Sequence, residues 1–557
     1  MSNPSPLVSS GPSFDKIIIG GGSAGCVLAR RLTEDASMHV LVLEAGHMDY
    51  RLDFRLHMPA ALTYPLAGKT YNWWYESGPE PELSGRRVYQ PRGKVLGGSS
   101  SINGMIFIRG NPMDFDNWAK EPGLEDWSYA HVLPYFKRLE NRLIGGDDYR
   151  GNNGPLYLKT PKCDNPLFEA FFKAAEQAGY PLTDDVNGYQ QEGFGKFDRT
   201  TFRGRRYNAA RAYLHPVLSR KNLTVRCNVL VRRIVFEGQR AIGVEVLERG
   251  QVKVILANEV ICCGGAINSP QLLQLSGVGN PELLESLGIE VVHELHGVGE
   301  SLEDHAEVYV QYACTQPVSL YPALKWWRQP WIGLQWLFGR SGIGASNHFE
   351  AGGFIRSNDQ VDYPNLQYHF LPIAIRYNGT SALKGHGFQV HVGPVRSDVR
   401  GHVRIVSADP TRHPEIVFNY LSTEQDRKEW VEAIRCTRRI LGQDALSPFR
   451  GEELAPGPSV QTDEEILKFV HDELESAYHP SCTCKMGLHS MAVTDPELKV
   501  HGLEGLRVVD ASVMPTVTNG NIYAPVLMIA EKAADMIAGN TPLAPIDMPY
   551  FSKNVHV

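Results

Sequence analysis

"DKIIIGGGSAGCVLARRLTEDASMHVLVLEAG", residues 15–46, runs from three consecutive isoleucines into a glycine-rich turn, a helix-forming stretch and a second apolar run. That order predicts strand, tight turn, helix and strand, the opening unit of a doubly wound α/β sheet. Each glycine has a separate job: Gly20 makes the turn, Gly22 lets the backbone approach a pyrophosphate, and Gly25 lets the helix pack on the strand. The N–H groups at the helix start, Ser23 and Ala24, would then meet phosphate oxygens with the helix's partial positive charge behind them. Glu44 closes the second strand 19 residues after Gly25, where its carboxylate accepts from a ribose diol and disfavours a 2′-phosphate. An ordinary strand-to-helix turn would explain the glycines but not the acid. The unit therefore reads as a dinucleotide site, and at this point FAD and NAD are not separated.

The chain has 557 residues, beyond the roughly 250–300 at which one core stops growing, so at least two structural units are expected. Hydrophobic residues at 43% and charged residues at 21% are globular proportions, and a net charge of -7 offers no general attraction to nucleic acid. Nine cysteines, an odd number in a long chain, point to a reducing, cytoplasmic setting rather than a disulfide framework. Residues 1–13 lack a basic start and an apolar middle and read as a disordered leader. No apolar run approaches the ~20 residues that cross a bilayer, which leaves peripheral contact at the inner face of the cell membrane open. Residues 222–248 alternate like strands, with a turn at Glu237 and Gly238.

"PRGKVLGGSSSINGMIFIRGN", residues 91–111, has too many small residues for a packed element and suits close approach of backbone to a ligand. Through Gly93, Gly97, Gly98, Ser99, Ser100 and Asn103 it resembles the first signature of the glucose-methanol-choline family of FAD oxidoreductases. "GAINSPQLLQLSGVG", residues 265–279, is similar to the second signature, and "HP" at 479–480, "VVDASVMP" at 508–515 and Asn521 resemble its C-terminal elements. The resemblance spans residues 14 to 540 and is most similar to the choline-oxidising branch. It implies an α/β fold: a Rossmann-like FAD-binding domain built from discontinuous segments, with an α+β substrate domain containing an antiparallel sheet. The implied division is a mostly FAD-binding region at 14–310, a substrate-binding region at 311–475, a C-terminal segment at 476–540 returning to the flavin domain with the catalytic histidine, and a tail at 541–557. FAD is now favoured over NAD. Besides the residues of the first motif, the resemblance implies cofactor contacts from Gly93, Gly97, Gly98, Ser99, Asn103, Gly104, Met105, Asp510, Ala511 and Asn521, with backbone near Val231 facing the adenine.

Oxidising an alcohol with a flavin requires loss of the hydroxyl proton and of the carbinol hydride; the protein orients the carbon and manages the proton. Histidine, unperturbed at ~6.5, suits the base. The family's "HP" position gives this role to His479, with Asn521 donating to the same oxygen and His369, in "NLQYHF", as a further stabiliser. The implied activity is oxidation of choline to betaine aldehyde, extending to glycine betaine through the aldehyde hydrate. A quaternary ammonium offers no N–H, so it calls for aromatic faces and a nearby negative charge. Glu307, in "SLEDHAEVYV", matches the glutamate that choline-oxidising relatives hold there, and Trp73, Trp326, Trp327 and Tyr478 are similar in position to cage residues. A neutral primary alcohol, aliphatic or aromatic, remains an alternative substrate, and an FAD-retaining lyase an alternative class.

Two positions depart from the family's pattern. Ile102 stands where relatives with covalent flavin have histidine, so FAD is expected to be held without a covalent bond; Tyr523 replaces a second asparagine. The tryptophan-rich run 325–342, "KWWRQPWIGLQWLFGRSG", reads either as a wall of the substrate cavity or as a membrane contact, with Trp331 and Trp336 as anchors, where a quinone rather than oxygen takes the electrons. Finally, "SAYHPSCTCKMG", residues 476–487, has Cys-x-Cys spacing that fits neither zinc nor dithiol chemistry; no metal site is expected, and Cys482 and Cys484 read as small packing residues.

Overall fold

The computed structural model describes residues 7–8, 14–376, 382 and 384–553. In chain order, the first elements that frame the site are β1 (Phe14–Ile19), α1 (Ser23–Leu32), β2 (Val40–Glu44), β3 (Gly193–Lys196), β4 (Leu223–Cys227), β5 (Val229–Glu237) and β6 (Arg240–Glu248). They are followed by β7 (Gln251–Cys262), α2 (Gly265–Leu275), β8 (Ala306–Cys314), α3 (Gln329–Gly339), β9 (Ala351–Ile355) and β10 (Leu366–Leu371). The last are β11 (Gly387–Pro394), β12 (Arg450–Ala455), β13 (Glu475–Ser476), β14 (Leu506–Val508) and α4 (Tyr523–Ala538).

Strands β4, β2, β1 and the second half of β7 lie side by side and parallel, and β14 adds to the far edge of β7. Every residue of β2 is buried, as expected of a strand covered on both faces. The first half of β7 continues into an antiparallel meander with β6 and β5. The hairpin turn between β5 and β6 falls at residues 238–239, and the alternating stretch is cut once more at Asn228, where φ is 58°. This is the Rossmann-like unit, and it is discontinuous: α4 packs on α1, and the Arg31 guanidinium bridges Glu531 and Asp535 at 2.5 and 2.8 Å.

The second sheet is antiparallel, in the order β12-β8-β11-β10-β9-β3, with β13 also pairing with β8. Strand alternation divides its faces. Val308, Val310, Tyr368, Phe370, Val390 and Val392 point into a hydrophobic core. The intervening Glu307, Tyr309, His369 and His391 line the cavity between the sheets. The sheet takes β3 from within 14–310, and β13 lies across the 475/476 limit, so this sheet is also assembled from separated pieces.

Apart from Leu7–Val8, which pairs with Lys253–Val254, the expected leader at 1–13 lies outside the described residues. The described part of the tail, residues 541–553, is held by the Ile546 and Phe551 N–H groups, which donate to the Ala130 and Tyr189 carbonyls. Among the described residues no helix is long and apolar enough to cross a membrane.

Candidate active site

One cavity of about 1240 Å³ extends from the glycines after β1 to the loop at His479. That exceeds the roughly 300–1,000 Å³ of ordinary small-ligand sites and leaves room for a dinucleotide and a second small molecule. Backbone is brought close at three points. A Cβ on Gly20, at φ +102°, would sit 2.5 Å from the Cys263 carbonyl oxygen; one on Gly25 would sit 2.0 Å from that of Gly20; one on Gly98 would meet Gly22 Cα at 2.7 Å. Gly22 itself faces the cavity, where an added Cβ meets nothing nearer than 3.8 Å. This is a cradle that a side chain would fill, at the N-terminus of α1, and it fits a pyrophosphate. Glu44 accepts from the Gly21 and Gly46 N–H groups at 2.9 and 2.8 Å, and burial pushes its carboxyl up to about 7. Its place on the cavity wall fits a ribose.

Gly93, Ser99, Asn103, Gly104, Met105 and Val231 also line the wall, as do Ser23 and Ala24; Gly25 and Gly97 do not, and serve the packing behind it. The 91–111 loop is braced from the rear: Asn103 Oδ1 accepts from the Met105 N–H at 3.1 Å and from Arg206 at 2.8 Å. The Asp510 carboxylate accepts from Gly265 N–H, Ser269 Oγ, Ser512 N–H and Ser512 Oγ, at 2.6 to 2.8 Å. All its lone pairs are engaged within the protein, and both Asp510 and Ala511 line the cavity. Ile102 is buried on the wall and carries no nucleophile.

At the far end, His479 is oriented on both sides of its ring. Nε2 lies 2.9 Å from Asn521 Nδ2 and Nδ1 lies 3.1 Å from His305 Nδ1. Asn521 Oδ1 accepts from Gln367 Nε2 at 3.1 Å, which directs the asparagine N–H groups at the imidazole, so Nε2 is the acceptor and Nδ1 carries the hydrogen. His369 joins the same group, 3.2 Å from Gln367 Nε2. Burial holds His479 well below the usual histidine value, and His305, Arg92 and His369 add to the effect; burial likewise takes His369 down to about 4. The imidazole is neutral and able to accept a proton.

The loop carrying it is held firmly. Asp304 is 7% exposed and accepts from the His479 N–H at 2.7 Å, from Tyr420 at 2.6 Å, from Gln90 at 3.0 Å and from Ser476. Tyr478 adopts φ 68°, a region that costs an L-residue energy, while Arg92 donates to its carbonyl at 2.7 Å and its N–H donates to Ser476 Oγ at 2.8 Å.

On the adjoining wall are Glu307, Tyr309 and His391, with His391 Nδ1 3.0 Å from Glu307 Oε1 and the Tyr309 ring stacked on His391 at 3.8 Å. Tyr478 reaches this cavity. Trp73 reaches it too, but its ring already carries the Lys94 ammonium at 4.4 Å and stacks on Tyr75 at 5.9 Å. Trp326 and Trp327 do not belong to the site: they are 77% and 53% exposed, off the cavity wall, and the Lys325 ammonium lies 5.3 Å from the Trp327 ring. They precede α3 and point outward. Of the four aromatics expected there, Tyr478 and Trp73 line the cavity, and Tyr309, which sequence reasoning did not single out, is a further ring on its wall. Cys482 and Cys484 are fully buried, and burial pushes both thiols up.

Reasoning from sequence also passed over Asp304, His305 and His391. A signal was present: "LQYHFL" and "FQVHVG" repeat Gln-x-His in two strands, and alternation puts both residues of each pair on one face.

A glycine cradle on a parallel sheet, joined by one cavity to a neutral imidazole–amide pair, defines a dinucleotide-dependent oxidoreductase. The GMC oxidoreductase family matches residues 14–307 and 397–530, and the chain belongs to that family. An oxygen-dependent choline dehydrogenase of Staphylococcus xylosus is 60% identical over 549 residues, 98% of each chain, and one of Klebsiella pneumoniae is 60% identical over 543 residues, 97% of this chain and 98% of the relative. Among solved structures, pyridoxine 4-oxidase from Mesorbium loti superposes with a TM-score of 0.86 at 31% identity, covering 95% of this chain and 100% of that one. A formate oxidase variant of Aspergillus oryzae RIB40, solved for its FAD modification, gives 0.89 at 26% identity, covering 95% and 98%.

Proposed function

We propose that the protein is an FAD-dependent dehydrogenase that oxidises choline to betaine aldehyde and, through the aldehyde hydrate, carries some of it on to glycine betaine. The observation that carries the reading is the placing of a carboxylate, Glu307, and a neutral imidazole, His479, on one cavity continuous with the dinucleotide cradle. The likeness to choline dehydrogenases over nearly the whole chain agrees with it. FAD would be held by Gly20, Gly22, Ser23, Ala24 and Glu44 at its adenosine end and by the 91–111 loop toward its ring, without a covalent bond. When bound it accepts the carbinol hydride.

The protein's own part is proton management and orientation. A substrate hydroxyl placed against His479 Nε2 replaces the present bond from Asn521 and gives its proton to the imidazole. Asn521 then donates to the oxygen as negative charge develops, and His369 borders the same space. His305 Nδ1 accepts from His479 Nδ1–H, so the ring cannot turn as the proton moves. Glu307 and Tyr478 face the trimethylammonium group, whose contact with an aromatic face contributes on the order of 2 kcal/mol when desolvated.

In this reading the electron acceptor is a membrane quinone, reached from an apolar rim. Trp331 is 74% exposed and Phe338 81% exposed on α3, whose Leu334 and Leu337 border the cavity, with the 90% exposed Leu52 close to the same mouth. Trp336 is no anchor: it is buried, and its Nε1–H donates to the Gly204 carbonyl at 2.6 Å. Such a rim suits peripheral docking at the inner face of the membrane. The description of the relatives as oxygen-dependent weighs toward oxygen, and turnover with oxygen but not with quinone would replace this acceptor.

Steady-state kinetics of Glu307→Gln test the substrate. Choline should show a KM raised about tenfold or more, the size of a lost charge contact, while the neutral isostere with tert-butyl in place of trimethylammonium is unaffected. Equal rates of the native enzyme on both alcohols would favour a dehydrogenase of another primary alcohol.

A further inference from the structure

His391 stands one strand away from His369 and directly across from Tyr309, in register with both. It is 4% exposed, and its ring has a partner at each nitrogen: Glu307 Oε1 at 3.0 Å from Nδ1, and Gln389 Nε2 at 2.8 Å from Nε2. Which nitrogen bears hydrogen is decided one residue further back. Gln389 is fully buried, and its Oε1 accepts from the Ile375 backbone N–H at 2.8 Å and from Gln311 Nε2 at 2.8 Å. A backbone N–H can only donate, so the Gln389 amide cannot be turned over, and its NH₂ must face the imidazole. His391 Nε2 is then an acceptor, and in the neutral ring Nδ1 carries the hydrogen and donates to Glu307. A second proton on the ring would set an N–H against the Gln389 NH₂.

We propose that Gln389 and His391 together form the positioning unit of the cation subsite: Gln389 fixes His391 as the neutral Nδ1–H tautomer, which holds the Glu307 carboxylate in place without cancelling its charge. A lysine or arginine could hold the carboxylate equally well, but its charge would offset the one the substrate needs. A neutral donor orients the carboxylate and leaves its attraction for a quaternary ammonium intact. Stacking on Tyr309 at 3.8 Å and the edge contact with Phe349 at 5.6 Å stop the imidazole from rotating away. This assignment rests on the choline reading and adds two positioning residues to it.

Gln389→Glu tests it, with KM and kcat measured for choline and for its neutral isostere, and flavin content measured to verify the fold. The new carboxylate still accepts from Ile375 and Gln311, but it now calls for a proton on His391 Nε2. The neutral ring would then turn a lone pair toward Glu307, and the doubly protonated ring would offset its charge. Either way, choline KM should rise about tenfold, a charge-assisted bond's worth, with the isostere KM unchanged and kcat for both alcohols changed far less. His391→Asn, which keeps a neutral N–H near the Nδ1 position, should retain most of the preference for choline, and His391→Leu should lose it. This second pair decides the matter where Gln389→Glu does not fold. Equal losses on both alcohols, or a preference for choline that survives either Gln389→Glu or His391→Leu, would overturn the assignment. Native enzyme with no preference for choline would instead remove the substrate reading beneath it.

Discussion

His479 keeps one ring nitrogen for the substrate because the other is committed to His305, and its own backbone N–H is tied to Asp304. Replacing His479 by glutamine removes the proton acceptor at little cost in shape. The expected outcome is a loss of kcat of about 10² to 10⁴-fold, with the flavin still bound; unchanged turnover would move the base elsewhere. His305 gives a second test. Burial takes it down to about 4 from 6.5, so in that window the unfolded chain binds a proton that the folded chain refuses. Stability is therefore lost as pH falls from 6.5 toward 4, by about 1.4 kcal/mol for each unit. Thermal unfolding of His305→Gln should decline less steeply with acid over this range than that of the native protein, and parallel curves would contradict a neutral, buried His305. At this scale sequence reading served unevenly. His479 and Asn521 were legible because they sit in a recognisable C-terminal pattern, whereas His391 and Asp304 act on partners 84 and 175 residues away in the chain.

Among the elements, the segment β1-α1-β2 was the most legible, since its logic is local: apolar run, glycines and acid all fall within residues 15–46. The helix α1 lies against β1 only because Gly25 lacks a side chain. In Gly25→Ala the Cβ would meet the Gly20 carbonyl at 2.0 Å, backbone that cannot move without opening the cradle. That variant should purify with little flavin, measured as the ratio of visible to protein absorbance. Gly333→Ala on α3, where a Cβ meets nothing within 4 Å, should keep its full complement. Helix α3 shows what composition conceals. Its tryptophans are equally apolar in sequence, yet Trp336 turns inward while Trp331 points to solvent, and Trp326 and Trp327, before the helix, also stay outside. Residue type reveals apolarity, but only packing reveals which side is covered. Co-sedimentation with anionic vesicles tests the exposed set: the native protein should bind, and a variant with serine at 331 and 338 should not. Equal recovery of both from the supernatant would end the membrane reading.

At the scale of the molecule, two helices some 500 residues apart in the chain are tied together. Arg31 of α1 and Arg138 reach Glu531 and Asp535 of α4, two carboxylates 2% and 3% exposed, so the last helix completes the unit begun by the first. Glu531→Gln leaves those guanidiniums short of a partner inside the fold and should cost about 3 kcal/mol of stability, read from denaturant unfolding of the holoprotein. The fold is thus joined through space rather than along the chain. Both sheets borrow strands from distant segments, and the cavity belongs to neither alone. In the proposed function, this shared cavity brings a cationic alcohol to a flavin and its base. Anaerobic mixing of the purified holoenzyme with choline, followed by flavin absorbance, tests it most directly. The yellow flavin should bleach, much faster at low substrate with choline than with its neutral isostere; a flavin that stays yellow with choline, as a lyase would leave it, would overturn the proposed function.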